Sequence, residues 1–440
     1  MVDPRRDIRI YLDEAEKNGI KITAVTETHI HADYLSDSRE LAAATGATLY
    51  LSDEGDAGWK YGFEGEKLHD GDEIRVGNVT LRAMHTPGHT PEHLSFLLTD
   101  GAATDVPGFI LTGDFVFVRD LGRPDLLDEA AGGKDTRFVG AKQMFESLRD
   151  RFLALPDYVQ VWPGHGAGSA CGKALGAVPS STVGYERLFS WWGGYVEQED
   201  QEGFVEALLE GQPDAPVYFG RMKRENKMGP VLLVKRLPLQ RYDVASFEAA
   251  LASDEVIFVD TRLSEDFAKG AVRGSLNIPA GWSFATRAPW VIDPEKDERP
   301  IVLLAGDEAE ASELRDKLSY VGIDNVVGYV TSLRGLQNER VGFVSSEELE
   351  GLGDLFVLDV REKYEYEASH IPGAVQLHGG RVMWHLDELP HDRPIVVYCQ
   401  TGTRSAVVAS ALRAAGFDDV VELEGSYEGY EKAQERTVKA

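Results

Sequence analysis

Short apolar runs rich in β-branched residues alternate with Gly- and Asp-rich turns from the start of the chain to about Ser180. Four of these runs predict buried strands, over residues 22–28, 79–83, 109–112 and 159–162. Between them, apolar residues recur at helical spacing over residues 36–45 and 141–153. Strands and helices that alternate in this way predict an α/β fold.

A connecting stretch follows, up to about residue 236. In it, Phe204, Ala207 and Leu208 form the apolar face of a predicted amphipathic helix. The turn-rich residues 211–216 (GQPDAP) come next. We interpret this stretch as a helical extension of the first domain.

The rest of the chain contains a weak internal repeat. Residues 257–262 (IFVDTR) parallel residues 356–361 (FVLDVR), and the apolar run Ile301–Leu304 parallels Ile395–Tyr398. Each copy has a strand, a turn and a helix, and then an apolar strand that leads into a loop and a further helix. This order predicts a small doubly wound α/β unit that is made twice.

The chain has 440 residues, which is too long for one ordinary hydrophobic core. The patterns therefore predict three α/β domains. We expect them over residues 1–236, 237–340 and 341–440.

The composition narrows the class of protein. Hydrophobic residues make up 43% of the chain, which is typical of soluble globular proteins, and no apolar run is long enough to span a bilayer. The N-terminal residues MVDPRRD have no apolar segment behind their basic residues, so we expect no signal peptide and a cytoplasmic protein. With 74 acidic against 45 basic residues, the net charge of −29 argues against nucleic acid or anionic membrane as a partner.

Residues able to bind a metal ion follow each of four predicted strands. In chain order they are His29, His31, Asp33, His89, Asp114 and His165. Functional groups collect at the carboxyl ends of strands in open α/β sheets. Four strand ends that each carry a ligand-type residue predict a metal site.

This arrangement resembles the metallo-β-lactamase superfamily, whose usual motif, His-x-His-x-Asp-His, often holds two metal ions. Here Tyr34 stands at the position of the last histidine. A phenol, with an ordinary pKa of about 10, stays protonated at neutral pH and is a poor ligand for a divalent ion. We therefore expect the second metal position to be impaired.

His29, His89 and Asp114 remain as two imidazoles and one carboxylate. This set matches the facial triad of non-haem Fe(II) oxygenases, which leaves positions open for dioxygen and substrate. Zinc accepts the same ligands and would support hydrolysis instead. The ligand types alone do not choose between the two metals.

The first domain is most similar to the persulfide dioxygenases of this superfamily, nearly from end to end. The similarity lies in the segments ETHIHAD, TPGHTP, TGD, LGRPDL and PGHGAGSACG. It implies an αββα sandwich with a mononuclear Fe(II) bound by His29, His89 and Asp114. It also implies that neighbouring side chains hold these ligands or the bound persulfide by hydrogen bonds, namely His31, Asp33 and His165.

Three further features of this domain bear on the resemblance. Arg123 is either an anchor for an anionic thiol substrate or part of a structural salt bridge. Cys171 either carries sulfane sulfur near the iron or is a small buried residue in a tight loop. Family members usually have two more strands upstream of Val2, which we expect to be missing here, whereas an aromatic residue such as Tyr34 is normal in the rhodanese-fused branch.

The last domain carries a cysteine suited to nucleophilic chemistry. A predicted buried strand delivers Cys399 into a short loop that turns into a helix, where backbone N–H groups and the helix N-terminus stabilise an anion. Arg404 adds a fixed cation, so we expect Cys399 to react as a thiolate. The segments LDVRE, HIPGA and VVYCQTGTRS resemble a rhodanese domain. The resemblance implies that Cys399 carries sulfane sulfur as a persulfide and passes it to an acceptor such as sulfite.

The middle domain resembles the last one but lacks the nucleophile. Ala305 stands at the equivalent position, and Asp307 and Glu308 follow in a loop that would otherwise bind anions. We therefore predict a rhodanese-like domain that does no covalent sulfur chemistry and that acts as a spacer or docking surface.

Taken together, these resemblances imply an enzyme that oxidises a low-molecular-weight thiol persulfide with dioxygen to sulfite and thiol. Cys399 would then convert sulfite to thiosulfate, and the branch implies a homo-oligomer, a dimer or tetramer. One alternative is a zinc-dependent thioester hydrolase resembling glyoxalase II, although such an enzyme needs two metals and Tyr34 argues against it. Another is a sulfur-relay protein in which Cys399 alone is active.

Overall fold

The computed structural model describes residues 1–126, 136–166, 169, 171–173, 175–233, 236–336, 338–351 and 353–439. Part of the glycine-rich segment before Cys171 thus lies outside the described residues. The chain forms two compact units. The first consists of Met1–Ala215 with Phe219–Val234, and the second of Pro216–Tyr218 with Lys235–Ala440.

Two sheets form the centre of the first unit. The smaller is parallel and has the order β1-β2-β3, with β1 Ala24–Thr26, β2 Thr48–Ser52 and β3 Glu66–Leu68. The larger has the order β11-β10-β7-β6-β5-β4. Its strands are β4 Glu73–Val76, β5 Val79–His85, β6 Leu94–Asp100, β7 Phe109–Gly113, β10 Gln160–Pro163 and β11 Ser181–Thr182. A short hairpin, β8 Val116–Phe117 with β9 Asp120–Leu121, follows β7.

Helices cover the outer faces of the two sheets. They are α1 Arg9–Lys17, α2 Ser38–Thr45, α3 Thr136–Ser147 with a π-helical turn over Leu148–Phe152, α4 Val183–Phe189, α5 Gly193–Glu197, α6 Gln201–Leu209 and α7 Tyr218–Met228. The predicted amphipathic helix around Phe204 is α6, and its buried residues are Phe204, Val205 and Leu208.

Alternation along β5 and β6 divides the core into layers. Ala83 and Phe96 face the smaller sheet and pack in one cluster with Leu68 of β3. Met84, the next residue along β5, faces the other way and packs with Phe145 of α3. Because successive side chains of a strand point to opposite faces, each sheet buries one face against the other sheet and one against helices. This order of layers is the expected αββα sandwich.

The second unit contains two parallel five-stranded sheets of the same order. One is β12-β17-β16-β13-β15 and the other is β19-β23-β22-β20-β21. The strands of the first are β12 Gln240–Arg241, β13 Ile257–Asp260, β15 Leu276–Asn277, β16 Ile301–Leu304 and β17 Val326–Val330. Those of the second are β19 Phe343–Val344, β20 Phe356–Asp359, β21 Val375–Gln376, β22 Ile395–Tyr398 and β23 Val420–Leu423. A two-stranded sheet pairs β14 Ala271–Val272 with β18 Asn338–Glu339.

The helices of the second unit follow the same duplicated plan. Those of the first half are α8 Val244–Ala252, α9 Ser264–Lys269, α10 Phe284–Arg287 and α11 Glu308–Ser319. Those of the second half are α12 Ser346–Gly351, α13 Lys363–Ala368, α14 Thr403–Ala414 and α15 Ser426–Lys439.

The sequence repeat corresponds to a structural ion pair in each half. Arg262 binds Asp260 with its Nη2 2.6 Å from Oδ2, and Arg361 binds Asp359 at 2.7 Å. Each arginine also donates to a backbone carbonyl eight residues on, at 2.7 Å. The Asp-x-Arg motif therefore fixes the turn after the first strand of each sheet.

No helix within the described ranges is both long enough and apolar enough to cross a membrane.

Phe204 should contribute strongly to the stability of the first unit. Its ring is fully buried and lies 5.3 Å from that of Phe145. Phe204→Ala is expected to cost about 3–5 kcal/mol of the free energy of unfolding, because it leaves a cavity between helices and sheet. Leu188→Ala, at a side chain that is 74% exposed, is the control and should leave the calorimetric transition almost unchanged. Equal effects of the two substitutions would contradict this packing.

Candidate metal centre and sulfur-transfer loop

The ends of three strands bring His29, His89 and Asp114 together in the first unit. All three are buried, and their donor atoms lie within 4.8 Å of one another. Nε2 of His89 is 3.7 Å from Oδ2 of Asp114, and Nε2 of His29 is 3.9 Å from the same oxygen. Two ligands that are each about 2.1 Å from one ion lie at most about 4.2 Å apart, so both separations fit one shared ion.

Glycine lets the strand ends approach this closely. Gly113 has a φ of +49°, and a Cβ at this position would lie 2.5 Å from Oγ1 of Thr28. At Gly122 a Cβ would lie 1.7 Å from the carbonyl oxygen of Asp114. Any larger residue at either position would therefore push Asp114 away from His29.

Hydrogen bonds fix the orientation of both imidazoles. The hydroxyl of Thr28 donates to Asp3 at 2.9 Å, so it accepts from Nδ1 of His29, also at 2.9 Å. Nδ1 of His89 donates to the carbonyl oxygen of Arg123 at 3.1 Å. Each ring therefore presents an unprotonated Nε2 to the cluster, as histidines that bind metals do.

The charge states also suit a cation. Burial lowers the pKa of His29 well below its ordinary value and that of His89 to about 4, so both rings are neutral. Burial alone would raise the pKa of Asp114, but His165 and the neighbouring imidazoles lower it below its usual range. Within the described part of the chain, the buried Oδ2 of Asp114 has no hydrogen-bond partner. Two neutral imidazoles and an unsatisfied carboxylate oxygen fit a divalent metal ion.

His165 lies beside this cluster, between two carboxylates. Its Nδ1 is 2.7 Å from Oδ1 of Asp114, and its Nε2 is 2.9 Å from Oδ2 of Asp33. Burial opposes protonation, but Asp114, Cys171 and Asp33 raise the pKa of His165 well above its ordinary value. Asp33, His165 and Cys171 form a second group whose donor atoms lie within 4.8 Å of one another.

Tyr34 and His31 contact each other beside the three-residue cluster, with the ring centre of His31 4.2 Å from that of His29. The hydroxyl of Tyr34 lies 3.2 Å from Nε2 of His31, and burial raises the pKa of Tyr34 well above its ordinary value. Nε2 of His31 also lies 3.2 Å from Asp3 and 3.4 Å from Glu27. Nε2 of His31 is therefore held by carboxylates, while its buried Nδ1 has no hydrogen-bond partner among the described residues.

Sequence reasoning did not identify Asp3, Glu27, Glu92 or Lys223 as part of this region. Lys223 is buried with its Nζ 4.0 Å from the ring centre of Trp59, and burial lowers its pKa to about 8, against the effect of Glu92. One oxygen of Glu92 accepts from the backbone N–H of Ile30 at 2.8 Å. Only Glu27, which directly precedes the Thr-His-Ile-His segment, carried a signal in the sequence.

Arg123 and Cys171 are both buried. The guanidinium of Arg123 is 1% exposed and binds Asp125, with Nε 3.0 Å from Oδ1. Burial raises the pKa of Cys171 to about 12, with Asp33 and Asp114 adding to the effect, so the thiol is neutral at pH 7. Cys171 lies close to Asp33 and His165. In this conformation Arg123 forms the salt bridge, and its backbone orients His89.

In the second unit, Cys399 lies in the loop between β22 and α14. The backbone N–H of Gly402 donates to Sγ at 3.1 Å, and the hydroxyls of Ser405 and Ser426 lie 3.7 and 3.9 Å from the sulfur. Gly402 has a φ of +104°, which turns the chain so that its N–H points at the thiol. The N–H of Gly402 and the hydroxyl of Ser426 therefore direct hydrogen-bond donors at the sulfur.

Arg404 is close to this loop but is already paired. Its two terminal nitrogens lie 2.6 and 2.8 Å from the carboxylate of Glu365. Burial opposes the charged form, yet Glu365 and Cys399 raise the pKa of Arg404 above its ordinary value. Arg404 remains charged, and Glu365 neutralises part of its field.

The equivalent loop of the middle sheet is filled by the chain's own carboxylates. Ala305 replaces the cysteine, and the backbone N–H of Gly306 donates to Oε2 of Glu310 at 2.6 Å. Asp307 begins α11 and accepts from the N–H of Glu310 at 2.9 Å. The donors that would stabilise a bound anion are therefore already satisfied.

Comparison with known proteins matches two parts of the chain. The family model described as metallo-beta-lactamase superfamily matches residues 2–165, and that of the rhodanese-like domain matches residues 346–433. The crystal structure of a metallo-beta-lactamase from Staphylococcus aureus subsp. aureus COL is 36% identical with a TM-score of 0.64, covering 75% of this chain and 91% of that one.

Two relatives known by sequence match the first part of the chain. An uncharacterized protein of Mycobacterium leprae (strain TN) is 30% identical over 43% of this chain and 85% of its own length. A hydroxyacylglutathione hydrolase of Rhodospirillum rubrum is 29% identical over 58% of this chain and 84% of its own length.

His89→Ala should abolish stable metal binding. Even the loss of a hydrogen-bond partner of a metal ligand costs about 10- to 100-fold in affinity, so the loss of a ligand should cost at least as much. The measurement is metal content by mass spectrometry after anaerobic loading and desalting. His69→Ala, at a half-exposed histidine outside the cluster, is the matched control and should retain the wild-type content. Full metal content in His89→Ala would show that the cluster is not the site.

The pH dependence of stability should report on Glu422, which lies 3.2 Å from the hydroxyl of Ser405. Burial raises the pKa of Glu422 to about 7 from an ordinary 4.5, against the effect of Arg413. The folded state therefore keeps a proton that the unfolded state loses, and its stabilising effect is lost as the pH rises from about 4.5 to 7. That loss is at most about 3 kcal/mol.

Glu422→Gln should therefore unfold at higher temperature than the wild type at pH 8, with little difference at pH 4.5. Thermal unfolding followed across this range tests the sign. Glu424→Gln, at an exposed neighbour, is the control and should follow the wild type. A destabilised Glu422→Gln at pH 8 would contradict the raised pKa.

Proposed function

The chain belongs to the metallo-β-lactamase superfamily and carries a C-terminal rhodanese-like domain, and on that premise we propose that it is a persulfide dioxygenase coupled to a sulfurtransferase. Its substrates would be a low-molecular-weight thiol persulfide and dioxygen, and its first products sulfite and the thiol. Cys399 would then transfer sulfane sulfur to sulfite to give thiosulfate. The middle half of the second unit would be a rhodanese-like domain without a nucleophile.

The proposal depends mainly on one observation, the cluster of two neutral imidazoles and one carboxylate. Tyr34 stands at the place of the last histidine of the usual two-metal motif, and a phenol is a poor ligand for a divalent ion. Two histidines and one carboxylate with open positions are the ligand set of non-haem Fe(II) oxygenases. The presence of Cys399 in a donor-lined loop of the same chain supports a substrate that contains sulfane sulfur.

The roles of the chain's own residues follow from their contacts. When bound, Fe(II) would supply the redox chemistry that dioxygen requires. His29, His89 and Asp114 would hold it, while Thr28 and the carbonyl oxygen of Arg123 orient the imidazoles. Burial of the cluster excludes water. Overall, a persulfide RSSH with O2 and H2O gives RSH, sulfite and two protons.

The sulfur-transfer loop would act on the sulfite. The N–H of Gly402 and the hydroxyl of Ser426 would stabilise the Cys399 thiolate as it takes up sulfane sulfur and again when it is released. Fusion of the two activities in one chain raises the effective concentration of sulfite at the second step.

A second candidate is a zinc-dependent thioester hydrolase. The similarity to a hydroxyacylglutathione hydrolase favours it. Tyr34 argues against it, because a phenol stands where the usual two-metal motif has its last histidine and is a poor ligand for a divalent ion.

The deciding experiment is oxygen uptake by the Fe(II)-loaded chain on addition of glutathione persulfide. The wild type should consume oxygen and form thiosulfate. Cys399→Ser should consume oxygen at a similar rate but release sulfite, with thiosulfate at background. Oxygen-independent turnover of a glutathione thioester by the zinc-loaded chain, with no oxygen uptake in the iron-loaded one, would favour the hydrolase. Unchanged thiosulfate from Cys399→Ser would disprove the role of Cys399, and Cys171→Ser in the same background would show whether Cys171 carries the sulfur.

A further inference from the structure

The middle half of the second unit packs against the helix that begins beside Cys399. The backbone N–H of Asn277 in β15 donates to Oγ of Ser410 in α14 at 2.9 Å, and both residues are buried. α14 starts directly after the Cys399 loop, so this contact packs the middle half against the helix into which that loop leads.

A second contact lies close to α10. The ring of Trp290 is 5.0 Å from that of His378 at an angle of 70°. A Cβ at Gly379 would lie 2.7 Å from Trp290, and one at Gly380 would lie 3.0 Å from its Nε1. The two halves therefore meet here with no room for a larger side chain, and the turn that follows α10 is held against the half that carries Cys399.

Arg287 ends α10, three residues before Trp290. Its side chain is partly buried and has no hydrogen bond or ion pair among the described residues. Burial lowers its pKa, and the opposite effects of Cys399 and Arg404 on it show that its guanidinium lies within electrostatic range of both. Arg404 is bound by Glu365, whereas Arg287 keeps its donors available.

We propose that Arg287, carried by the half that has no nucleophile, completes an oxyanion-binding site beside Cys399 that receives the anionic sulfur acceptor. The acceptor class is a small oxyanion such as sulfite. The inference rests on the proposed sulfur transfer by Cys399, and it gives the middle half a direct part in acceptor binding.

The chemistry explains why a cation is needed there. A lone pair on the sulfur of sulfite attacks the outer sulfur of the Cys399 persulfide, the S–S bond breaks, and its electron pair returns to Sγ as a thiolate. Thiosulfate leaves, and no external oxidant or reductant is required. Both reactants are anions, so their repulsion opposes the encounter. A guanidinium with free donors binds an oxyanion through two N–H groups and offsets that repulsion.

The test is single-turnover sulfur transfer from the full-length chain, loaded at Cys399 with thiosulfate. Sulfite is compared with cyanide, which is mostly neutral HCN at pH 7. Arg287→Gln should raise the half-saturating sulfite concentration by about 10-fold or more, since hydrogen bonds to charged groups are among the stronger ones. Transfer to cyanide should change far less, and Arg287→Lys should recover part of the sulfite response. Arg273→Gln, at an exposed arginine of the same half, is the matched control and should behave as the wild type.

A wild-type measurement covers the case in which Arg287→Gln does not fold. Inorganic sulfate should compete with sulfite in the wild-type reaction but not with cyanide. Unchanged sulfite kinetics in Arg287→Gln, an equal loss with both acceptors, or no competition by sulfate would each overturn the proposal. If Cys399→Ser still transferred sulfur, the proposed function would fail instead, so the two failures are distinguishable.

Discussion

The carboxylate of Asp114 is the group on which the arrangement of the candidate metal centre depends. It is buried, and a buried charge is costly unless it is paired. One of its oxygens binds the imidazolium of His165, and the other faces the neutral nitrogens of His29 and His89. The two oxygens thus differ in their partners. Oδ1 binds His165, whereas Oδ2 is available to a bound metal ion. Gly113 and Gly122 are required since no larger residue allows the strand ends to meet around this carboxylate.

The two halves of the second unit share a structural ion pair but differ in the loop that precedes the long helix. Both halves keep the same buried Asp–Arg pair after the first strand, with nearly equal distances and the same type of backbone contact. The halves differ in the loop before the long helix, where one presents Cys399 and the other a closed set of carboxylates. The pairs that hold the sheet are therefore retained where the nucleophile is absent.

The parts of the candidate site that follow strand ends were predictable from the sequence. His29, His89 and Asp114 each lie a few residues after a predicted strand, and parallel or neighbouring strands bring such residues to one edge. Cys399 was predictable for the same reason, together with the glycine that follows it. The contacts of Asp3 and Lys223 were not, because they depend on how distant segments return to the strand ends.

The orientation of side chains could not be predicted from the sequence either. His31 alternates with His29 just after β1, and only the positions of Asp3 and Glu27 show that its Nε2 is held by carboxylates. The fold was easier to predict than the site. Alternation along β5 and the repeat of IFVDTR in FVLDVR are local patterns that can be found in the sequence itself. The place of Arg287 near Cys399 depends on packing between two halves, which no local pattern encodes.

The carboxylate of Glu310 limits what a substitution in the middle loop could restore. Its contact with the N–H of Gly306 occupies the position that an anionic sulfur species would need. A cysteine in place of Ala305 would therefore lie beside the negative charge of Glu310, and the N–H of Gly306 would not be available to its sulfur. At least two substitutions, at Ala305 and at Glu310, would therefore be needed to give this half a loop like that of Cys399.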